Sequence, residues 1–232
     1  MTNILLTGSS RGIGAACMDA LTRAGAKVLG HGTRSGIAAD LADPLAPRQL
    51  WTRALDEAGG HLDVLVNNAG VFEANPLDGD HDAWVAGWER TMRVNLTASA
   101  ELCRLAVRHW QETGRPGRIV NVASRAAYRG DSPQHWHYAA SKAGMVAMTK
   151  TIARSYAAEG ILAFAVCPGF TMTGMAEDYL ASRGGDKLLA DIPLGRVAEP
   201  AEVADVVRFL ALDAPASMTG AVLDVNGASY VR

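Results

Sequence analysis

Tyr138 and Lys142 stand at the two ends of the run Tyr138-Ala139-Ala140-Ser141-Lys142. On a helix, positions i and i+4 share a face, so this spacing sets a phenol beside an ammonium. A free phenol has a pKa of ~10 and exchanges protons poorly at neutral pH. A neighbouring cation stabilises the phenolate and brings the group toward general acid–base work. Upstream, Ser124 closes the run Ile119-Val120-Asn121-Val122-Ala123. Ligands of an open α/β sheet bind outside the carboxyl ends of its strands, so Ser124 stands on a rim from which it can reach Tyr138.

A second constellation is made of backbone rather than side chains. Thr7-Gly8-Ser9-Ser10-Arg11-Gly12-Ile13-Gly14 lies between an apolar run and a helical pattern. Glycines permit a tight turn and close approach of a ligand, and a helix N-terminus then offers free N–H groups and a positive dipole to a phosphate. Gly8, Ser10, Arg11, Gly12, Ile13 and Gly14 are therefore expected to bind a dinucleotide cofactor. An NAD-specific site carries an acid after the second strand for the ribose 2′-OH. Here the segment is His31-Gly32-Thr33-Arg34-Ser35, without an acid. Arg11 and Arg34 suit a 2′-phosphate instead, which favours NADP(H) over NAD(H). Asp40 either accepts from the adenine amino group or caps the next turn, and Leu41 joins the expected cofactor contacts.

These residues need a scaffold that brings strand ends to one crevice. Apolar runs alternate with helical patterns along the whole chain, the signature of βαβ units and a doubly wound parallel sheet. Strands are expected at 4–7, 27–30, 36–39, 62–67, 118–123, 162–166 and 221–225. Helices are expected at 13–24, 48–58, 84–112 with a break near Asn95, 138–158 and 201–212. The expected fold is an α/β Rossmann sheet of about seven strands in a single domain, 1–232. The irregular stretch 170–196 is the expected substrate lid. Asn67-Asn68-Ala69-Gly70 and Cys167-Pro168-Gly169 end two further strands on the same rim as Ser124.

Composition excludes other classes. Hydrophobic residues are 49% and charged residues 20%, which supports a sizeable core. The net charge of −2 offers no footprint for nucleic acid or an anionic membrane. Cys17, Cys103 and Cys167 are widely spaced, which indicates neither a disulfide framework nor a zinc site. His135 and His137 form an i, i+2 pair without a nearby carboxylate, so no metal is expected. With no leader and no long apolar stretch, a cytoplasmic protein is expected.

Together the motifs Thr7-Gly8-x3-Gly12-Ile13-Gly14, Asn67-Asn68-Ala69-Gly70, Val94-Asn95, Ser124, Tyr138-x3-Lys142 and Pro168-Gly169 resemble the short-chain dehydrogenase/reductase superfamily, in its small single-domain branch. The likeness runs from Thr7 to about Gly227 and is greatest to 3-oxoacyl-thioester reductases. It implies an NADP(H)-dependent oxidoreductase that interconverts a ketone and a secondary alcohol. By resemblance, Tyr138 is the general acid/base, Ser124 holds the substrate oxygen, and Lys142 lowers the Tyr138 pKa and binds the nicotinamide ribose. Asn95 kinks the long helix and holds a water that links Lys142 to solvent. Asn68, Ala69 and Gly70 shape the adenine-ribose wall. Pro168, Gly169, Phe170 and Thr173 meet the nicotinamide carboxamide.

Three departures accompany the likeness. The interval from Ser124 to Tyr138 is one residue longer than in many relatives. Its loop, 125–137, carries Tyr128, Arg129, His135, Trp136 and His137, which are expected near the substrate. Only Ser35–Ala39 separate Arg34 from Asp40, so the helix between the second and third strands is expected to be absent. Enoyl reductases of the family usually space Tyr and Lys more widely, and the extended branch needs a further C-terminal region. A binding module without turnover tends to lose Tyr or Lys. The expected partners are a small carbonyl or alcohol substrate and further copies of the chain, as a tetramer or dimer paired through 84–112 and 138–158.

Overall fold

The computed structural model of the chain describes residues 1–173 and 189–232. Six parallel strands form one sheet: β1 (Asn3–Leu6), β2 (Lys27–Gly30), β3 (Val64–Asn67), β4 (Gly117–Val122), β5 (Ile161–Pro168) and β6 (Val222–Val225). Their order is β2-β1-β3-β4-β5-β6. The helices are α1 (Gly12–Arg23), α2 (Ala46–Glu57), α3 (His81–Met92), α4 (Ala98–Thr113), the short α5 (Ala126–Arg129), α6 (Trp136–Tyr156) and α7 (Pro200–Arg208).

Alternate strand residues feed two cores, as a pleated sheet covered on both faces requires. Ile4, Leu6, Val64, Val66, Val120, Phe164 and Val166 pack with Cys17 and Leu21 of α1 and Val203 and Val207 of α7. Leu5, Leu65, Ile119 and Ala163 face the other way, toward Trp51 of α2, Leu102 and Trp110 of α4 and Ile152 of α6. Every residue of β5 is buried. Fully burying a side chain such as Phe164 contributes about 1.5–3 kcal/mol.

The expected third strand at 36–39 does not form, so the sheet has six strands rather than about seven. A parallel neighbour needs a crossover of roughly a dozen residues, and only His31–Ser35 separate Gly30 from Gly36. The chain turns straight back instead. Gly36 makes an antiparallel bridge to His31, Ile37 N–H donates to Gly30 O at 2.9 Å, and Ile37 enters the core. Gly36 is required there: its φ is +60°, and a Cβ would lie 2.1 Å from Gly30 O. The expected absence of the intervening helix holds, and β2 is left as an edge strand.

The long helical stretch breaks where expected. Arg93–Thr97 form a π turn between α3 and α4, with Asn95 inside it. Asp80 caps α3 through Ala83 N–H at 3.0 Å, which starts that helix earlier than its apolar pattern suggests. Strand order reverses direction beside β1, which opens a crevice between the carboxyl ends of β1 and β3. Of the expected lid, only 170–173 and 189–196 lie within the described residues.

Candidate active site

Tyr138 sits in the first turn of α6 and Lys142 one turn later, on the same side. Ser124 stands two residues past the end of β4 and accepts Ala126 N–H at 3.1 Å, a turn that fixes its hydroxyl above the strand end. The Ser124 hydroxyl lies close enough to the Tyr138 phenol to act on its proton affinity, so two hydroxyls converge on one point. Burial pushes the Tyr138 phenol up to about 12, while Ser124 pulls it down. The expected lowering by Lys142 is not among the influences on it: the phenol stands above its ordinary range because desolvation penalises the phenolate.

Lys142 is almost fully buried. Its Nζ donates to Val122 O at 2.8 Å and lies 5.9 Å from the Tyr138 ring centre. Burial pushes the ammonium down to about 8. Gly70 leaves space beside it, since a Cβ there would lie 3.3 Å from Asn95 Oδ1 and 3.6 Å from Lys142 Nζ. Asn95 clamps the chain after β3: its Oδ1 accepts Val71 N–H at 2.8 Å and its Nδ2 donates to Val71 O at 3.0 Å. Nδ2 also reaches Ser141 Oγ at 3.3 Å, tying the π turn to α6.

The glycine turn fits a diphosphate. The first-turn N–H groups of α1 carry no side-chain cap. Gly8 and Gly12 have φ of +69° and +52°, and a Cβ on Gly14 would lie 1.9 Å from Gly8 O. Asn68 holds the turn by donating to Thr7 O at 3.1 Å and Gly8 O at 3.0 Å. Thr7 Oγ1 accepts Asn68 and Ala69 N–H, both at 3.0 Å. Ser10, Arg11 and Arg34 are exposed at this end, and among the described residues neither arginine makes an ion pair. Ile13 is half-buried and packs against the core of the α1 face.

Other expected contact residues have the following surroundings. Asp40 Oδ1 accepts Ala42 N–H at 3.0 Å, a turn cap that leaves its other carboxylate oxygen uncommitted to this bond. The Leu41 side chain is buried in the core with Leu29 and Ile37, so only its backbone can meet a cofactor. Thr173 lies against the glycine turn: its Cγ2 would stand 2.9 Å from a Cβ on Gly12. The Phe170 ring packs on Ile192 and Val197 beneath the Arg125 guanidinium, 4.8 Å from its centre. Gly169 is pressed against Asn226. Pro168 ends β5, and its carbonyl accepts Arg125 N–H at 2.9 Å.

The loop before α6 divides. His135 stacks on Phe72 at 3.9 Å, and Phe72 meets the Tyr138 ring edge-on at 4.8 Å. His137 is buried against Trp88. Tyr128 and Arg129 turn away from Tyr138: Tyr128 stacks on Tyr230, and Arg129 pairs with Asp191 at 2.6 Å. Trp136 is exposed.

Comparison with known proteins agrees with this geometry. A family model described as enoyl-(acyl carrier protein) reductase matches residues 8–228. The chain is 36% identical to a 3-oxoacyl-(acyl-carrier-protein) reductase of Vibrio cholerae, over 98% of this chain and 96% of that one. It belongs to the short-chain dehydrogenase/reductase family. It is 38% identical to a cis-4-hydroxycyclohexanecarboxylate dehydrogenase of Sinomonas cyclohexanicum, over 96% and 94% of the two chains. A crystal structure from Agrobacterium tumefaciens with bound NADP, assigned as a 2-deoxy-D-gluconate 3-dehydrogenase, superposes with a TM-score of 0.87 at 28% identity. That match covers 100% of this chain and 97% of the other. As a short-chain dehydrogenase/reductase, the protein is an NAD(P)-dependent oxidoreductase of CH–OH and C=O groups.

Motif reading gave no role of their own to His31, Phe72 or Thr7, although it included Thr7 in the glycine motif. A signal for His31 was present in the strand register. Gly30 pairs with Leu6, so the residue after β2 must lie beside Thr7-Gly8. Phe72 had no such signal, because its place depends on how the chain leaves β3. Among the described residues, no helix is long and apolar enough to cross a membrane, and no group of three or more His, Cys, Asp or Glu could hold a metal.

Proposed function

We propose that the protein reduces the ketone of a small substrate with NADPH, a 3-oxoacyl thioester or a carbonyl compound like it, using Ser124, Tyr138, Lys142 and Asn95. The observation that carries this reading is the approach of Ser124 to the buried Tyr138 phenol with Lys142 one turn away, on the rim that also bears the glycine turn. When bound, the nicotinamide supplies the hydride.

The residues of the chain supply the rest. Tyr138 is protonated at neutral pH because burial holds its pKa high, so it is ready to donate to the carbonyl oxygen. Ser124 donates a hydrogen bond to that same oxygen as negative charge develops on it. Lys142 spends one of its three N–H donors on Val122 O and keeps two for the ribose hydroxyls. Its charge also stabilises the phenolate that the proton leaves behind. Asn95 fixes α6 against the chain after β3 and so sets the distance between Lys142 and the crevice. Phe72 and His135 wall the mouth beside Tyr138.

The short Tyr-x3-Lys spacing and the Ser124 contact support carbonyl rather than enoyl reduction. Arg11 and Arg34, unpaired by any carboxylate among the described residues, support NADPH over NADH. The stretch 170–196 serves as the lid of a single-domain enzyme in this reading. The enzyme works in the cytoplasm as a homo-oligomer, paired through the long helices α4 and α6.

The test is reduction of a 3-oxoacyl thioester and a panel of ketones by the purified chain, followed as loss of NADPH absorbance. Turnover with NADPH, and at least tenfold less with NADH, is expected. Tight NADPH binding without reduction of any carbonyl compound overturns the reading.

A further inference from the structure

The glycine turn is held from two sides. On one, the Asn68 amide grips Thr7 O and Gly8 O. On the other stands His31, the first residue after β2, with 3% of its surface exposed. Gly8 N–H donates to its Nδ1 at 3.3 Å. Its own carbonyl accepts Ser9 N–H at 2.8 Å and Ser9 Oγ–H at 3.2 Å. Across the ring, Nε2 lies 3.0 Å from Ala39 O. A carbonyl only accepts, so Nε2 carries the hydrogen and Nδ1 is left as the acceptor for Gly8. One neutral tautomer satisfies both ends.

The imidazole therefore crosses from the glycine turn to the chain that returns after β2. We propose that His31 is a cofactor-positioning residue: its neutral imidazole braces Gly8 so that the glycine turn keeps the shape that receives the cofactor's phosphates. The proposal rests on the reading of that turn as the NADPH site.

The bracing depends on protonation. A proton on Nδ1 sets an N–H against the Gly8 N–H, and the contact becomes donor against donor. Burial holds the His31 pKa below its ordinary value of 6.5, while the Ala39 bond and Asp40 pull it up. Asp40, on the same connection, is the charged group that acts on the ring; the glycine turn meets it with Gly8 and Ser9, which do not titrate. His31 is thus neutral at physiological pH and takes its proton only below the ordinary imidazole range. Cofactor affinity falls there.

Two substitutions separate the two ends of the ring. His31→Asn puts an amide oxygen near the place of Nδ1 and keeps an acceptor for Gly8. His31→Gln reaches toward Ala39 and leaves Gly8 without one. The experiment is a fluorescence titration of NADPH binding to the full chain and both variants between about pH 5 and pH 8. Expected at neutral pH are an affinity within about threefold of wild type for His31→Asn and a loss of about tenfold or more for His31→Gln. Wild-type affinity weakens on the acid side, and that fall is absent in His31→Asn. Equal losses in the two variants, or an acid-side fall that persists in His31→Asn, overturn the proposal. A wild-type affinity that does not fall once the His31 ring is protonated overturns it without reference to either variant. Failure of the wild-type chain to bind NADPH at any pH overturns instead the cofactor reading beneath it.

Discussion

The two ends of the crevice are built from different materials. In the proposed reading, the catalytic end works through the side chains of Ser124, Tyr138 and Lys142, with Asn95 behind them, all largely withdrawn from water. At the phosphate end it resides in the path of the backbone, Gly8 to Gly14, and in the side chains of Asn68 and His31 that hold that path. Burial shapes the first by shifting proton affinities. Sterics shape the second, because only glycine fits where a Cβ would strike a carbonyl. One end performs chemistry and the other holds, and substitutions should separate the two roles.

The largest separation is expected from Tyr138→Phe. It keeps the ring against Phe72 and removes the proton donor. Turnover should fall by about 10³-fold, within the range for a lost general acid. Next is Gly14→Ala, whose methyl would press on Gly8 O and force the turn open. A backbone clash of this kind costs about 1–3 kcal/mol, which corresponds to roughly fivefold to 150-fold in NADPH affinity. Turnover at saturating NADPH should recover, since no catalytic side chain has moved. If Gly14→Ala instead lowers saturated turnover as much as affinity, the two ends are not separable.

A smaller effect is expected from pH. Lys142 holds its proton below about 8 and loses it above, because burial favours the neutral amine. If its charge stabilises the phenolate, kcat/KM for reduction is level near neutrality and falls about tenfold one unit above that value. Tyr138, at about 12, contributes no limb in that window. A rate that rises across pH 8 to 9 assigns the proton donor to another group.

The same division explains what could be read from the sequence. Ser124, Tyr138 and Lys142 are legible because residue type and spacing decide their placement: one helical turn joins Tyr138 to Lys142, and a strand end presents Ser124. The break at Asn95 is legible for a similar reason. The parallel sheet follows from the buried runs 64–67, 117–122 and 161–168. What misled was the stretch after β2. Ile37 and Leu41 have the apolar character of a strand, but the connection is too short for a parallel crossover, and they enter the core from a return loop. The roles of Thr173 and Phe170 were hidden because non-local packing decides them. Gly12 receives one, and Arg125 covers the other. The proton affinity of Tyr138 was hidden too, since spacing reveals a neighbouring cation but not the depth of burial.

The claim that holding and chemistry are divided is tested most directly by the NADPH affinity of Tyr138→Phe, measured by fluorescence titration beside wild type. The account predicts dissociation constants that agree within about twofold although turnover is lost. A loss of affinity of tenfold or more in that variant would contradict it.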